Sequence, residues 1–395
     1  MKKILKYSEQ AFLQYQWRSW IEPWLKHPKR KKKAKQLLAS IPESLHSTGI
    51  FLRIALALFT FILACSGVGL LSLMFLGGGW NEIGYGIFSI VCSVAFFFIL
   101  ENYISHKHSY GTGVDDMLTY LTFVSFMTGF VLFFIDSSNN DALIGVIIAL
   151  CACLLASLLA LRYVDRLCML VALSAGYSAV FILFKSSSLG TTLLPFIGAA
   201  LGGLTYWGAG KLRKNIAWHL WDSLWWMAEI TGLVLLYASL NYYVVRNLSE
   251  SLMGIYLEEG QDIPLAFIFY ACTALIPLVY VWQGTVRKNR ILFRTGLVLI
   301  ALSAITFKVY FSTGHHEITL TVSGALLLLF SYGIHRWLQM DRAGLTLQED
   351  QEEEKLLDAE SLLIVSSVSI PSTQQVPKQD FGNGSFGGGG STGDF

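Results

Sequence analysis

Apolar runs of about twenty residues recur along the whole chain, and a run of that length leaves few folds open. They fall at 50–76, 84–104, 116–135, 142–162, 167–185, 190–210, 224–244, 264–283, 291–311 and 317–337. Immersed in lipid, such a stretch must satisfy every backbone N–H and C=O within itself, so each run is read as a helix. The expected class is all-α: a polytopic membrane protein with about ten transmembrane helices in residues 49–338. Composition agrees, because 54% of the 395 residues are apolar and only 14% are charged. That is too little polar surface to cover a water-soluble globule of this size.

The segments between the runs alternate in charge. Those after even-numbered runs carry Lys107, Arg162 with Arg166, Lys211 with Arg213 and Lys214, and Arg287 with Lys288 and Arg290. Those after odd-numbered runs read GGGWNE, DSSNND, KSSS, VRNLSESLMGIYLEEGQD and STGHHE. Lys and Arg concentrate on the cytoplasmic side of membrane proteins, so both termini are expected in the cytoplasm, with the anionic inner leaflet as the neighbouring surface. The net charge of +2 is spread over short clusters and forms no stripe, which argues against a nucleic-acid partner.

Residues 1–48 read as a separate cytoplasmic region. Leu13, Trp17, Trp20 and Trp24 share one helical face, and KHPKRKKKAK follows them, the pattern of an amphipathic anchor on an anionic leaflet. Beyond the last run, residues 339–370 look like an acidic cytoplasmic helix. Residues 371–395 are Gly-rich and expected to be disordered, with Phe381, Phe386 and Phe395 as contact points for a protein partner.

The stretch AWHLWDSLWW, at the cytoplasmic entry of the seventh run, sets Trp218, Trp221 and Trp225 at i, i+3, i+7. Indoles favour the half-wet layer at a membrane surface, so these three are read as interfacial anchors. Glu229 lies about a turn deeper, and an ionisable group inside a membrane is a functional candidate by default. Arg53, Glu101, Asp115, Asp116, Arg294 and His335 fall at a similar depth, and together they are expected to line a polar vestibule. Arg53 and Arg294 are the expected partners of Glu229.

Gly, Ala and Ser cluster at 66–69, 174–179, 198–203 and 322–325, which marks close helix contacts. Pro195 and Pro277 interrupt the sixth and eighth runs as kinks. No catalytic constellation, metal-ligand spacing or phosphate-binding loop is found. The six cysteines lie in apolar runs, and His106, His108, His315 and His316 divide between opposite sides of the membrane, so neither enzyme activity nor a cofactor is expected.

The segment GVDDMLTYLTFVSF and the Gly-rich end resemble uncharacterised bacterial multi-spanning inner-membrane proteins with about ten helices. That resemblance implies an inner-membrane location and no defined activity. The architecture is also similar to the drug/metabolite transporter superfamily, in which ten short-looped helices form two inverted halves of five. Two functions follow: a non-enzymatic scaffold, accessory or sensing protein, or a small-solute transporter with a cytoplasm-facing vestibule.

Overall fold

The computed structural model describes residues 5–26, 30–42, 44–76, 81–134, 141–185, 188–253 and 265–310, with single helical positions at Gly324, Ala325, Leu328, Tyr332 and Arg336. Among these residues the protein is all-α apart from one isolated bridge between His46 and Ser109. Two shorter helices, α1 (Glu9–Ile21) and α2 (Lys31–Ser40), precede the long ones. These are α3 (Ile50–Leu76), α4 (Glu82–Lys107), α5 (Val114–Leu132), α6 (Asp141–Tyr163), α7 (Arg166–Lys185), α8 (Ser188–Arg213) and α9 (Asp222–Leu240). A short α10 (Tyr242–Met253) is followed by α11 (Ala266–Val286) and α12 (Arg290–Tyr310), and 3-10 turns occupy Glu22–Lys26 and Ile216–Trp221.

Among the described residues, six helical stretches are long and apolar enough to cross a bilayer: Ile50–Leu73, Glu82–Lys107, Asp141–Tyr163, Arg166–Lys185, Ile216–Leu240 and Ala266–Val286. This is the make-up of a multi-pass membrane protein. Helices α5, α8 and α12 coincide with three further apolar runs. Most of the tenth run, His335, and the segments 339–370 and 371–395 lie outside the described residues.

Antiparallel hairpins build the bundle, α4 packing on α5, α6 on α7, α8 on α9 and α11 on α12. Local chemistry starts the helices that leave these turns. Asp165 Oδ1 accepts from the Cys168 N–H at 2.7 Å, Asn215 Oδ1 from Ala217 at 3.0 Å, and Asn289 Oδ1 from Ile291 at 3.0 Å. Each side chain takes one of the N–H groups that a helix start leaves unpaired. Lipid offers no hydrophobic gain for helix pairing, so van der Waals fit decides where the hairpins close. At the α8–α9 crossing a Cβ on Gly202 would lie 2.6 Å from the Gly232 carbonyl oxygen, and one on Gly232 2.7 Å from that of Gly202. Only glycine lets these backbones meet.

The four turns gather at one end of the bundle. Tyr110 OH in the α4–α5 turn donates to the Val164 carbonyl in the α6–α7 turn at 3.3 Å, and Trp221 Nε1 donates to the Leu161 carbonyl at 2.8 Å. Asn289 Nδ2 in the α11–α12 turn reaches Tyr206 OH near the end of α8 at 3.5 Å. Every one of these turns is bordered by Lys or Arg, so this is the basic end of the bundle. By contrast α3 presents apolar side chains outward along its length, Phe51 being 87% exposed, as a lipid-facing helix would.

Two sequence expectations change. Residues 1–48 are not one separate region: residues 5–20 belong with those from Pro42 onward, whereas 21–41, with the 3-10 turn and α2, form a second unit. Leu5, Tyr7 and Phe12 are buried in the same core as Phe96, Leu100 and Ile104 of α4. They carry this segment into the bundle, whereas Trp20, on the face read as the anchor, is exposed. After α9, Asn241 Oδ1 accepts from the Val244 N–H at 3.3 Å and starts the amphipathic α10. Finally, Trp221 is 2% exposed and Trp225 is buried as well, so both rings are enclosed by protein and neither is open to lipid headgroups. Both rings pack in one core with Phe12, Leu100, Leu159 and Tyr163, and Trp221 Nε1 donates to the Leu161 carbonyl, which turns these indoles toward protein.

Candidate functional site

A cavity of about 540 Å³ opens at the basic end. Its walls come from α1, the first turn of α3, the 110–120 region, the α6–α7 turn and the start of α9. The volume falls in the range of about 300–1,000 Å³ usual for small-molecule sites.

The α1 wall is held from several directions. Lys6 N–H donates to the Arg162 carbonyl at 3.1 Å, Ser44 Oγ to the Ala11 carbonyl at 2.9 Å, and Gln16 Nε2 to the Leu220 carbonyl at 3.1 Å. Aromatic edges fix it further: Tyr110 meets Tyr7, Phe12 and Tyr15 edge-on at centroid distances of 5.3, 5.2 and 4.8 Å. Burial, helped by the Asp115 charge, pushes the Tyr7 phenol far above its ordinary pKa. Burial, then Tyr15, does the same for Tyr110. Both remain neutral hydroxyls at any physiological pH.

The opposite wall carries charge. Arg53 Nε donates to Asp116 Oδ2 at 2.6 Å, which ties α3 to α5. The chain before α5 must bend closely around Arg53, and Gly113 makes this possible at φ 91°, where a Cβ would collide with the Arg53 carbonyl oxygen. Asp115 is buried and turns back on its own loop, accepting from the N–H groups of Gly111 and Thr112 at 2.7 and 2.8 Å and from Thr112 Oγ1 at 2.9 Å. Asp165 accepts from Tyr120 OH at 2.9 Å as well as from Cys168 N–H. Arg166 lays its guanidinium over the Trp226 ring, 5.8 Å from the centroid.

The residue before Asp165 is strained. Val164 is β-branched, buried and left-handed at φ 55°. This conformation costs an L-residue about 1–2 kcal/mol and persists only where the surroundings enforce it. Here the Tyr110 hydroxyl holds the Val164 carbonyl, and the strained turn aims Asp165 and Arg166 at the cavity.

Arg53, Asp115 and Asp116 line the cavity. Glu101 does not; it sits beside it and receives Lys6 Nζ on Oε2, with Arg162 Nε at 2.8 Å and Tyr163 OH at 2.6 Å on Oε1. Glu229 points into the bundle at 3% exposure, but its partner is neither Arg53 nor Arg294. Arg213 Nη1 of α8 reaches Glu229 Oε2 at 3.2 Å, and the same guanidinium donates through Nε to Asp222 Oδ1 at 2.9 Å. Arg294 is exposed on the outside of α12, because Ile291, Leu292 and Thr295 take the buried face of that turn. His335 lies outside the described residues. Neither Pro195 nor Pro277 lines the cavity.

Among the wall residues that sequence reasoning passed over are Tyr15, Tyr120, Asp165, Arg166 and Trp226. The signal for Asp165 was available, since Asp three residues before Cys168 in a short interhelical turn is an N-cap pattern. Trp218 packs edge-on against Trp221 and Trp225 at 5.5 and 5.3 Å, so that part of the tryptophan-rich stretch is an internal aromatic cluster. Trp226, next in sequence, turns to the cavity instead. Trp17 and Trp20 contact each other edge-on at 6.3 Å, and Trp24 lies in the 3-10 turn of the second unit.

No protein-family model, curated protein or solved structure matches the chain.

Proposed function

We propose that this is a ten-span protein of the bacterial inner membrane with both termini in the cytoplasm, acting as a non-enzymatic sensing or accessory protein that binds a small solute at its cytoplasmic rim. The supporting observation is the position of the cavity, at the basic end and walled by α1. A site there meets the cytoplasm and, through residues 5–20, a segment able to report occupancy. A transporter is the second reading, favoured by a polar vestibule, with Arg53 and Asp116 on its wall, that faces one side. The Gly-rich tail is proposed to recruit a protein partner, and the anionic leaflet to receive the polybasic segment.

The test is accessibility. A Ser223→Cys variant, on the cavity wall, is expected to react with a membrane-impermeant maleimide in inside-out vesicles and to stay unmodified in right-side-out ones, above the background of the native cysteines. Leu212→Cys should behave the same way and Ser138→Cys the opposite way. Labelling of Ser223→Cys from the outer side only, or from neither, defeats the rim-site reading. Ligand-dependent accumulation of solute in sealed vesicles would favour the transporter. For the tail, deletion of 371–395 is expected to leave insertion intact and to lower recovery of partners in a pull-down.

A further inference from the structure

The chemistry of the cavity wall narrows what it binds, granted that the cavity is a ligand site. Three carboxylates, Asp115, Asp116 and Asp165, face two guanidinium groups, Arg53 and Arg166, which leaves the wall one negative charge in surplus. The distribution sharpens this. Arg53 is bound to Asp116, and Asp165 is held by neutral donors, Tyr120 OH and Cys168 N–H, which leave its charge uncancelled. Both Asp116 and Asp165 keep lone pairs for a further donor.

Arg166 supplies the second observation. It makes no ion pair among the described residues, and its guanidinium lies instead on the indole face of Trp226. A ring face in a cleft with surplus negative charge attracts cations, and here the chain's own cation covers it. Tyr15, Tyr110 and Tyr120 add aromatic wall beside it.

We propose that the cavity takes a small organic cation, an ammonium or guanidinium group on an apolar or aromatic body, with its charge facing Asp116 and Asp165 and its body on the Trp226 ring that Arg166 otherwise covers. The amine can come from solution or from a phosphatidylethanolamine headgroup, since the site lies near the membrane surface.

Calorimetry on the full chain in phosphatidylglycerol nanodiscs tests this with 2-phenylethylammonium against its anionic counterpart, 3-phenylpropionate. The ammonium should bind saturably and the carboxylate should not. Asp116→Asn is expected to weaken the ammonium roughly tenfold, the value of one charge-assisted hydrogen bond. Arg166→Gln changes an exposed side chain, so folding should survive it, and removing the competing cation should tighten binding about three- to fivefold, the size of an exposed cation–π contact. Unchanged affinity in discs containing phosphatidylethanolamine assigns the site to a soluble amine; a several-fold loss assigns it to the lipid amine. Either outcome supports the cation. Equal or tighter binding of phenylpropionate, or weaker ammonium binding in Arg166→Gln, overturns the cation while leaving the rim site standing. If neither probe binds, the cation is also overturned, and the rim-site reading falls with it only if Ser223→Cys is unlabelled.

Discussion

Two carboxylates near the basic end, Glu101 on α4 and Glu229 on α9, illustrate opposite ways of keeping a charge inside a helical bundle. Glu101 is one acceptor with three donors, Lys6, Arg162 and Tyr163, drawn from the N-terminal segment and the end of α6. Around Glu229 the ratio is reversed, because one guanidinium, Arg213, serves both Glu229 and Asp222. An acceptor with several donors tolerates the loss of any one. A single donor shared by two acceptors does not, and the deeper acceptor suffers more, because water reaches Asp222 but barely reaches Glu229.

The largest effect should come from removing the shared donor. Arg213→Gln leaves Glu229 buried without its hydrogen-bonded counter-charge, and breaking a buried pair from one side costs about 3 kcal/mol. The partial exposure of Arg213 places the expected value at the lower end of the usual range. Reversible unfolding in a mixed-detergent titration measures it. Adding Glu229→Gln to the same chain should recover most of the loss, because an amide at this position needs no counter-ion. If Arg213→Gln alone unfolds like the parent, Glu229 is not charged in the folded protein and the contrast with Glu101 disappears.

Glu101→Gln should cost less, about 1–2 kcal/mol, since an amide still accepts from Tyr163 and the stranded Lys6 and Arg162 are partly exposed to water. Its more specific consequence is local. Lys6 is the charged tie from the N-terminal segment to α4, so residues 5–20 should loosen before the bundle does. Limited proteolysis in intact membranes should show faster cleavage within α1 in Glu101→Gln than in Arg213→Gln. The reverse order would mean that the aromatic contacts of Tyr7, Phe12 and Tyr15, and not the ion pairs, hold the segment.

Much of the helical framework was legible in the sequence, because the membrane requires each apolar run to close its own hydrogen bonds. The nine runs from 50–76 to 291–311 each coincide with a long helix. The site was legible only in part, and the reasons are geometric. Depth alone suggested Arg53 and Arg294 as partners of Glu229, yet depth says nothing about azimuth. The antiparallel α8–α9 hairpin, joined by a short turn, brings Arg213 to Glu229, and the basic stretch GKLRKN before that turn was the available clue. The tryptophans misled for a related reason: an indole at interfacial depth is an anchor on an outer helix and a core residue on an enclosed one such as α9. In the N-terminal segment the periodic tryptophans drew attention from Leu5, Tyr7 and Phe12, which precede them and make the buried contacts.

The smallest expected effect isolates the exposed half of the Arg213 pair. Asp222 is 52% exposed in its side chain and Arg213 35%, so their attraction is screened by water and salt. Asp222→Asn removes the charge while the amide oxygen can still accept from Nε, and the change in stability should stay within about 0.5 kcal/mol. It should also shrink further as salt is raised. The expected sign has two opposing parts, since Asp222 opens α9, where a negative charge interacts well with the helix N-terminus, while its removal leaves Arg213 to Glu229 alone. Measured beside Arg213→Gln in the same titration, a near-zero result locates the cost of losing Arg213 at Glu229. A loss as large as that of Arg213→Gln would place it at Asp222 instead, and burial would no longer explain why the two carboxylate clusters differ.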